Sequence, residues 1–389
     1  MILNKKILVF SGSRADYWIL EPLIDELLSR ESAEVHLAHV GTYDPEASSH
    51  ISQSMNKKNL LVTVNEQDEM DHGYENSGVF SNAFDFANSQ IEFVKPDLAV
   101  YLGDRVEIMA AAIACHLRNL KSVHLHGGES TLGSIDDAMR HAITKLSKGH
   151  ICFSERARTN LEKMGEKSNN ILLARNFTIA RFGVLQKHTA KDLIKRLGLD
   201  PECNYAVVTV HPVTTDQNDT VSTVRSVLRA LEQSDIAQVI LTGPNTDPGR
   251  DDIVENYEEF LRRYEAVGKK GVWKVDFGGS DYLRLLKGAA LTIGNSSSGI
   301  LEAPSLGVRS LVVGKRQIGR IEASSLVSYL PSKTRSVLDA IQDVVMDRRA
   351  NLEPDAIEGA DLDNLTTWLL QTDFPLEKGQ LYLDSSDSM

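Results

Sequence analysis

Short apolar runs of strand length alternate with amphipathic stretches from one end of this chain to the other. In the first half the runs are KILVF (6–10), VHLAHV (35–40), LAVYLG (98–103), SVHLH (122–126) and HICFS (150–154). In the second they are AVVTVHP (206–212), VILTGPN (239–245), VWKVDF (272–277), LTIGNSS (291–297) and SLVVG (310–314). Near-continuous apolar runs of this length read as strands covered on both faces. Between the first two, ILEPLIDELLSR (19–30) puts Ile19, Leu20, Leu23, Ile24, Leu27 and Leu28 on one stripe, the pattern of a helix lying on a sheet. Strand–helix alternation at this rhythm predicts parallel sheets joined by right-handed crossovers. The polar stretch HTAKDLIKRLGLDPE (188–202) separates two such sets. The predicted fold class is therefore α/β, with two doubly wound Rossmann-like domains facing across a cleft. Residues 1–185 form the first, 186–375 the second, and 376–389 a polar tail.

Composition narrows the function classes. A length of 389 residues suits two domains of roughly 150–200 residues each. Hydrophobic residues at 42% and charged residues at 25% exclude a disordered chain. Fifty-four acidic against 42 basic residues give a net charge of −12, which argues against nucleic acid or an anionic membrane as partner. A local basic pocket for a small anion stays open. Cys115, Cys152 and Cys203 are odd in number and widely spaced, each in an apolar run, and are expected as buried, reduced thiols. No apolar run approaches the roughly 18 residues of a membrane span, and MILNKKILVF has no signal-peptide pattern. The expectation is a soluble cytoplasmic protein.

In open α/β sheets ligands bind beyond the carboxyl ends of the strands, so the polar residues after each run carry the chemistry. Ser11-Gly12-Ser13-Arg14 follows the first strand. A small turn opening a helix offers backbone N–H groups, and Arg14 adds a forked cation, which suits a diphosphate or an ordinary turn with a surface arginine. Gly294-Asn295-Ser296-Ser297-Ser298-Gly299 is a second anion candidate, with Glu302 expected in the first turn of the next helix and able to accept from ribose hydroxyls. The alternative is a serine turn that only caps its helix. KRQIGR (315–320) follows the next strand, with cations that either face the same site or sit in solvent. Gly103-Asp104-Arg105, His126-Gly127-Gly128-Glu129 and Asp136-Asp137 bring carboxylates to three separate strand or helix ends, and Asp136 shares a helical face with Arg140. Carboxylates converging this way can remove a weakly acidic proton and return it on another face; singly, each suits a surface or capping role. His124 and His126 alternate on a strand and read as core or cleft histidines, not as metal ligands. Pro212 ends pairing after AVVTV and leaves His211 at a strand mouth, where it can donate to phosphate, shuttle a proton or serve structure alone.

Taken in order, GSRADYWILEPLI, LGDRVEIMAAAIA, HGGESTLGSIDDAMRHAITKLS, VTVHPVTTD, TGPNTDPG and GNSSSGILEAPSLGVRSLVVGKRQIGR closely resemble the hydrolysing UDP-N-acetylglucosamine 2-epimerases of sialic-acid biosynthesis. The likeness spans residues 12–320. It implies a glycosyltransferase-B-like fold, a UDP-sugar substrate, no cofactor or metal, and a homo-oligomer, dimer or tetramer. It also implies anti elimination of UDP through 2-acetamidoglucal, then addition of water to give N-acetylmannosamine. By the same resemblance Asp104 and Asp136 are catalytic, with His126 or Glu129 as a further group. Arg14, His211, Asn245, Ser296, Ser297, Glu302 and Arg316 match the family's nucleotide-binding positions, and Arg105 and Arg140 are further candidate substrate contacts. Three places depart from the family pattern: His126 itself, Arg175-Asn176-Phe177, and VGTYDPEASSH (40–50). Both altered loops are expected on the sugar side. A relative of the substrate, UDP-diacetylbacillosamine, is therefore an alternative, and a glycosyltransferase or a catalytically silent UDP-sugar binder is a more distant one.

Overall fold

The computed structural model describes residues 4–42, 57, 59–65, 76–131, 136–175, 190–213, 216–245, 249–317, 324–347 and 359–375. The chain divides into two compact units. The first gathers Met1–Ser130, Asp136–Ala180 and the segment from Glu358 onward; Thr131–Ile135 and Arg181–Ile357 make the second.

In the first unit the strands are β1 (Lys5–Ser11), β2 (Ala33–Thr42), β3 (Leu61–Asn65), β4 (Leu98–Leu102), β5 (Ser122–Leu125), β6 (Gly149–Cys152) and β7 (Ile171–Leu173). They form one parallel sheet in the order β3-β2-β1-β4-β5-β6-β7. The helices are α1 (Arg14–Leu28), α2 (Asn76–Val94), α3 (Val106–Leu117), α4 (Asp136–Leu146) and α5 (Glu155–Lys163). Successive residues of one strand serve opposite faces of the sheet. Ile7 and Val9 enter a core with Leu20, Leu23, Ile24 and Leu27 of α1. Leu8 and Phe10 enter another with Ala83 and Ala87 of α2 and the alanines of α3. Both faces are covered, which is why these runs are apolar throughout.

The second unit repeats the plan with β8 (Tyr205–Thr209), β9 (Gln238–Thr242), β10 (Lys270–Lys274), β11 (Leu291–Gly294), β12 (Ser310–Val313) and β13 (Val327–Leu330). The order is β10-β9-β8-β11-β12-β13, again parallel. Its helices are α6 (Ala190–Arg196), α7 (Gln217–Gln233), α8 (Arg250–Ala266), α9 (Gly279–Gly288), α10 (Ser298–Ser305) and α11 (Thr334–Met346). Here Ala206 and Val208 face the α7–α8 side while Tyr205 and Val207 pack with α6 and α9.

Two expectations change. The C-terminal stretch, assigned from sequence to the second domain, packs on the first: Leu365 and Leu369 of α12 (Leu362–Gln371) and Phe374 join the α1 core. Lys5 ties this return by donating to the carbonyls of Leu369 (2.7 Å), Leu370 (3.3 Å) and Thr372 (3.3 Å). Arg175, one of the departures, donates its backbone N–H to Ala360 (2.8 Å) and Nε to the Gly359 carbonyl (3.1 Å). The second change is Cys203, which is exposed and donates to Asp200; Cys115 and Cys152 are buried. The tail 376–389, most of the 40–50 loop, and Asn176-Phe177 lie outside the described residues. No helix among the described residues is long and apolar enough to cross a membrane.

Candidate active site

Each sheet reverses its winding direction once, between β1 and β4 in the first unit and between β8 and β11 in the second. Crossovers depart to opposite sides at such a point, and the carboxyl ends of the two strands open a space for ligand. The quoted motifs sit there: Ser11–Arg14 and Gly103–Arg105 in one unit, His211 and Gly294–Ser297 in the other.

In the first unit the turn after β1 ends in Ser13, whose Oγ accepts from the Asp16 N–H at 3.2 Å and caps α1. Arg14 is the first residue of α1; its side chain lies outside the described residues. Asp16 is buried, and burial pushes its carboxyl up to about 6, against the pull of Arg105. Arg105 precedes α3 and donates to Glu107 Oε1 at 3.1 Å. Arg105 is thus engaged with the carboxylates at the base of the site.

Beyond β5 the chain turns sharply. His126 has φ 62°, a left-handed conformation that costs a non-glycine residue of order 1 kcal/mol. Its N–H bonds the Ile151 carbonyl at 3.0 Å, and its ring lies 4.2 Å from that of Phe153. Its Nδ1 is 2.5 Å from Glu129 Oε1. The other Glu129 oxygen accepts from Arg140 Nη1 at 3.1 Å, and Arg140 Nη2 is paired with Asp104. A relay Asp104–Arg140–Glu129–His126 therefore joins three of the sequence motifs. Arg140 is only 1% exposed. It lies between two carboxylates and pairs with both; the sequence reading expects it to contact substrate. Asp136 opens α4, one turn before Arg140 on the same face. An ionised carboxylate can only accept, so His126 Nδ1 carries hydrogen toward Glu129 and the neutral ring keeps a lone pair on Nε2. A ring oriented in this way can accept a proton at Nε2.

In the second unit Gly294 (φ 146°) lets β11 close on β8, since a Cβ there would fall 1.9 Å from the Thr209 carbonyl oxygen. Asn295 then acts as a clasp. Its Oδ1 accepts from the His211 N–H (2.6 Å) and its Nδ2 donates to the His211 carbonyl (2.9 Å). Its own carbonyl accepts from Arg316 Nη1 (3.2 Å) and Gln317 Nε2 (2.9 Å). Of the cations after β12, Arg316 is thereby turned onto the serine turn, while Asp219 holds the Lys315 N–H at 3.1 Å; residues 318–320 lie outside the described residues. His211 Nδ1 accepts from the Asn245 N–H at 3.1 Å, so the neutral ring has its hydrogen on Nε2, a donor. Ser297 immediately precedes α10 and makes no side-chain capping bond, while Ser296 Oγ accepts from the Ser298 N–H at 3.4 Å. Ser298 Oγ donates to Ser296 Oγ at 3.2 Å and pairs with the Tyr282 hydroxyl at 2.6 Å. Glu302 is buried, but it lies beyond the first turn of α10, where it was expected. Neutral donors, one cation and helix N–H groups suit a phosphate.

Four residues here have no site role in the sequence reading. Asn295 and Tyr282 shape the second-unit turn, and Asp16 and His124 shape the first. Asn295 and Asp16 stand inside motifs noted in the sequence, and His124 reads there as a core or cleft histidine; Tyr282 carries no signal beyond being polar in a helical stretch.

Residues 25–358 match the family described as UDP-N-acetylglucosamine 2-epimerase. The chain belongs to that family. It is 30% identical over 338 residues, 87% of each chain, to UDP-N-acetylglucosamine 2-epimerase of Neisseria meningitidis serogroup B. It is also 30% identical over 336 residues, 83% of this chain and 84% of the other, to GDP/UDP-N,N'-diacetylbacillosamine 2-epimerase (hydrolyzing) of Campylobacter jejuni. The solved Neisseria meningitidis UDP-GlcNAc 2-epimerase, bound to UDP-GlcNAc, superposes with a TM-score of 0.76 at 17% identity, covering 94% of this chain and 98% of that one. At that identity the likeness is one of fold, and the fold is the expected glycosyltransferase-B-like pair of Rossmann-like domains.

Proposed function

We propose that this epimerase-family chain is a hydrolysing 2-epimerase that converts UDP-N-acetylglucosamine and water to N-acetylmannosamine and UDP. The observation that carries the reading is the Asp104–Arg140–Glu129–His126 relay at the first-unit switch point. A base there takes the C2 proton; the C2–H electrons form the C1–C2 double bond as the C1–O bond breaks, and its electron pair leaves with UDP. Water then adds through oxygen to C1 while a proton reaches the opposite face of C2. Two proton-transfer groups are needed, and the geometry offers His126, oriented by Glu129, and Asp104, held by Arg140, with Asp136 at the head of α4. In this reading Glu129 orients and does not itself take the proton, because both its oxygens are engaged. In the second unit the departing diphosphate is received by the His211 Nε2–H, Ser296, Ser297, Arg316 and the Asn245 turn, and Glu302 accepts from ribose hydroxyls; Arg14 is the first unit's candidate for an anion.

Equal identity to an N-acetylglucosamine and a diacetylbacillosamine epimerase supports the same chemistry on the 4-acetamido-6-deoxy sugar as a second reading. Both substrates are tested together. Reaction in deuterium oxide places one deuterium at C2 of the released sugar, and oxygen-18 from water appears at C1 and not in UDP. Released sugar with protium at C2 and unchanged configuration would mark a simple hydrolase and end the epimerase reading.

A further inference from the structure

His124 lies one residue from the end of β5, wholly buried, at the meeting of three elements of the site. Its Nε2 is 2.7 Å from the carbonyl oxygen of Gly103, the residue immediately before Asp104. Its Nδ1 is 3.1 Å from Thr144 Oγ1, one helical turn beyond Arg140 on α4. A carbonyl can only accept, so the ring hydrogen sits on Nε2 and Nδ1 takes the threonine hydroxyl hydrogen. Gly103 has φ 90°, and β5 grips it from both sides: its N–H bonds the Leu125 carbonyl at 3.1 Å and its carbonyl is held by His124. Arg140 and Thr144 are four residues apart and share a face of α4. The ring thus spans from the turn carrying Asp104 to the helix whose Arg140 pairs with Asp104.

We infer that His124 is a positioning residue for the proposed reaction: its Nε2–H bond to Gly103 sets the Asp104 turn at the spacing from α4 that its pairing with Arg140 requires. The inference rests on the proposed function and deepens it. Burial keeps the ring neutral, with its titration lowered to about 3, so this spacer does not change charge in the working pH range. A carboxylate displaced by about 1 Å loses on the order of 100-fold in rate, while a nucleotide held by the second unit is unaffected.

The test separates the two ring nitrogens. His124→Asn keeps an acceptor near the Nδ1 position and loses the reach to Gly103; His124→Gln places an amide N–H near the Nε2 position. UDP release from both sugar nucleotides, UDP affinity by calorimetry and thermal melting are measured for wild type, the two variants and Asp104→Asn. The expected result is a kcat at least about tenfold lower in His124→Asn, with KM and UDP Kd within about twofold of wild type, and recovery of most of the kcat in His124→Gln. A folded His124→Asn with wild-type kcat overturns the role while Asp104→Asn inactivity keeps the function. Equal losses in both folded His124 variants also overturn it. Wild type that releases no UDP overturns the function and the role together. If His124→Asn does not fold, nitrogen-15 shifts of the wild-type rings decide: hydrogen on Nε2 of His124 supports the role, and hydrogen on Nδ1 overturns it.

Discussion

Asp16 gives the sharpest energetic prediction, because its carboxyl is buried beside Gly12 and is not fully compensated by Arg105. A carboxyl that ordinarily titrates at 3.8 is held at about 6 in the folded chain. With 1.36 kcal/mol for each tenfold step, ionised Asp16 costs the native state about 3 kcal/mol at pH 7. The sign follows from which state binds the proton more tightly. The folded state does, so stability is withdrawn as pH rises from about 4 to 6 and the loss is constant above that. Asparagine never ionises, and the Ser13 cap survives the change because it uses the Asp16 backbone N–H. Asp16→Asn is therefore expected to be up to about 3 kcal/mol more stable than wild type at pH 7.5. At pH 4.5 the advantage falls by about 2 kcal/mol. Urea unfolding followed by tryptophan fluorescence measures this, since Trp18 and Trp368 pack in the first-unit core whereas Trp273 reports the second. A stability difference that is flat with pH, or a wild type that is the more stable at pH 7.5, would refute the assignment of Asp16 as a buried, poorly compensated acid.

Asp104→Asn and Asp136→Asn are each expected to lower turnover by at least about 100-fold while UDP affinity changes far less; near-wild-type UDP release in both would displace the proposed proton-transfer group. Arg316→Ala and Arg14→Ala should each weaken UDP binding by about 1.5–3 kcal/mol in calorimetry, and unaltered affinity in both would relocate the diphosphate. Tyr282→Phe removes the hydroxyl paired with Ser298 and should weaken UDP by about 0.5–1.5 kcal/mol with little change in melting temperature; a loss of stability without loss of affinity would make Tyr282 structural only.

Several parts of the site were legible in the chain because they are local. GSR, GDR, HGGE and GNSSSG are short polar strings at the ends of apolar runs, and strand ends are where an α/β sheet exposes backbone donors. Arg140 shows the limit of that reading. Its position on the face of Asp136 follows from helical period, but its burial between Asp104 and Glu129 depends on residues 36 and 11 positions away. No local pattern distinguishes a cation that meets substrate from one that organises two carboxylates. Glu302 was expected in the first turn because the apolar run ILEAPSLG reads as the helix, whereas the helix already begins at Ser298.

The sequence by itself determined the central strands, the helices over them and the α/β class, because a strand buried on both faces must be apolar at every position and its covering helix must carry a stripe. The edge strands β3, β7 and β13 escaped that rule, being short and partly exposed. Only the tertiary structure decided where the C-terminal helix goes. An amphipathic stripe at 362–371 states that apolar surface is needed, not which unit supplies it, and Phe374 settles against Gly149, where any added Cβ would collide with its ring. The same holds for the relay through Arg140 and the ring of His124. Each requires groups from separate strands and helices, and strand order and register, not neighbourhood in the chain, bring them within hydrogen-bond reach.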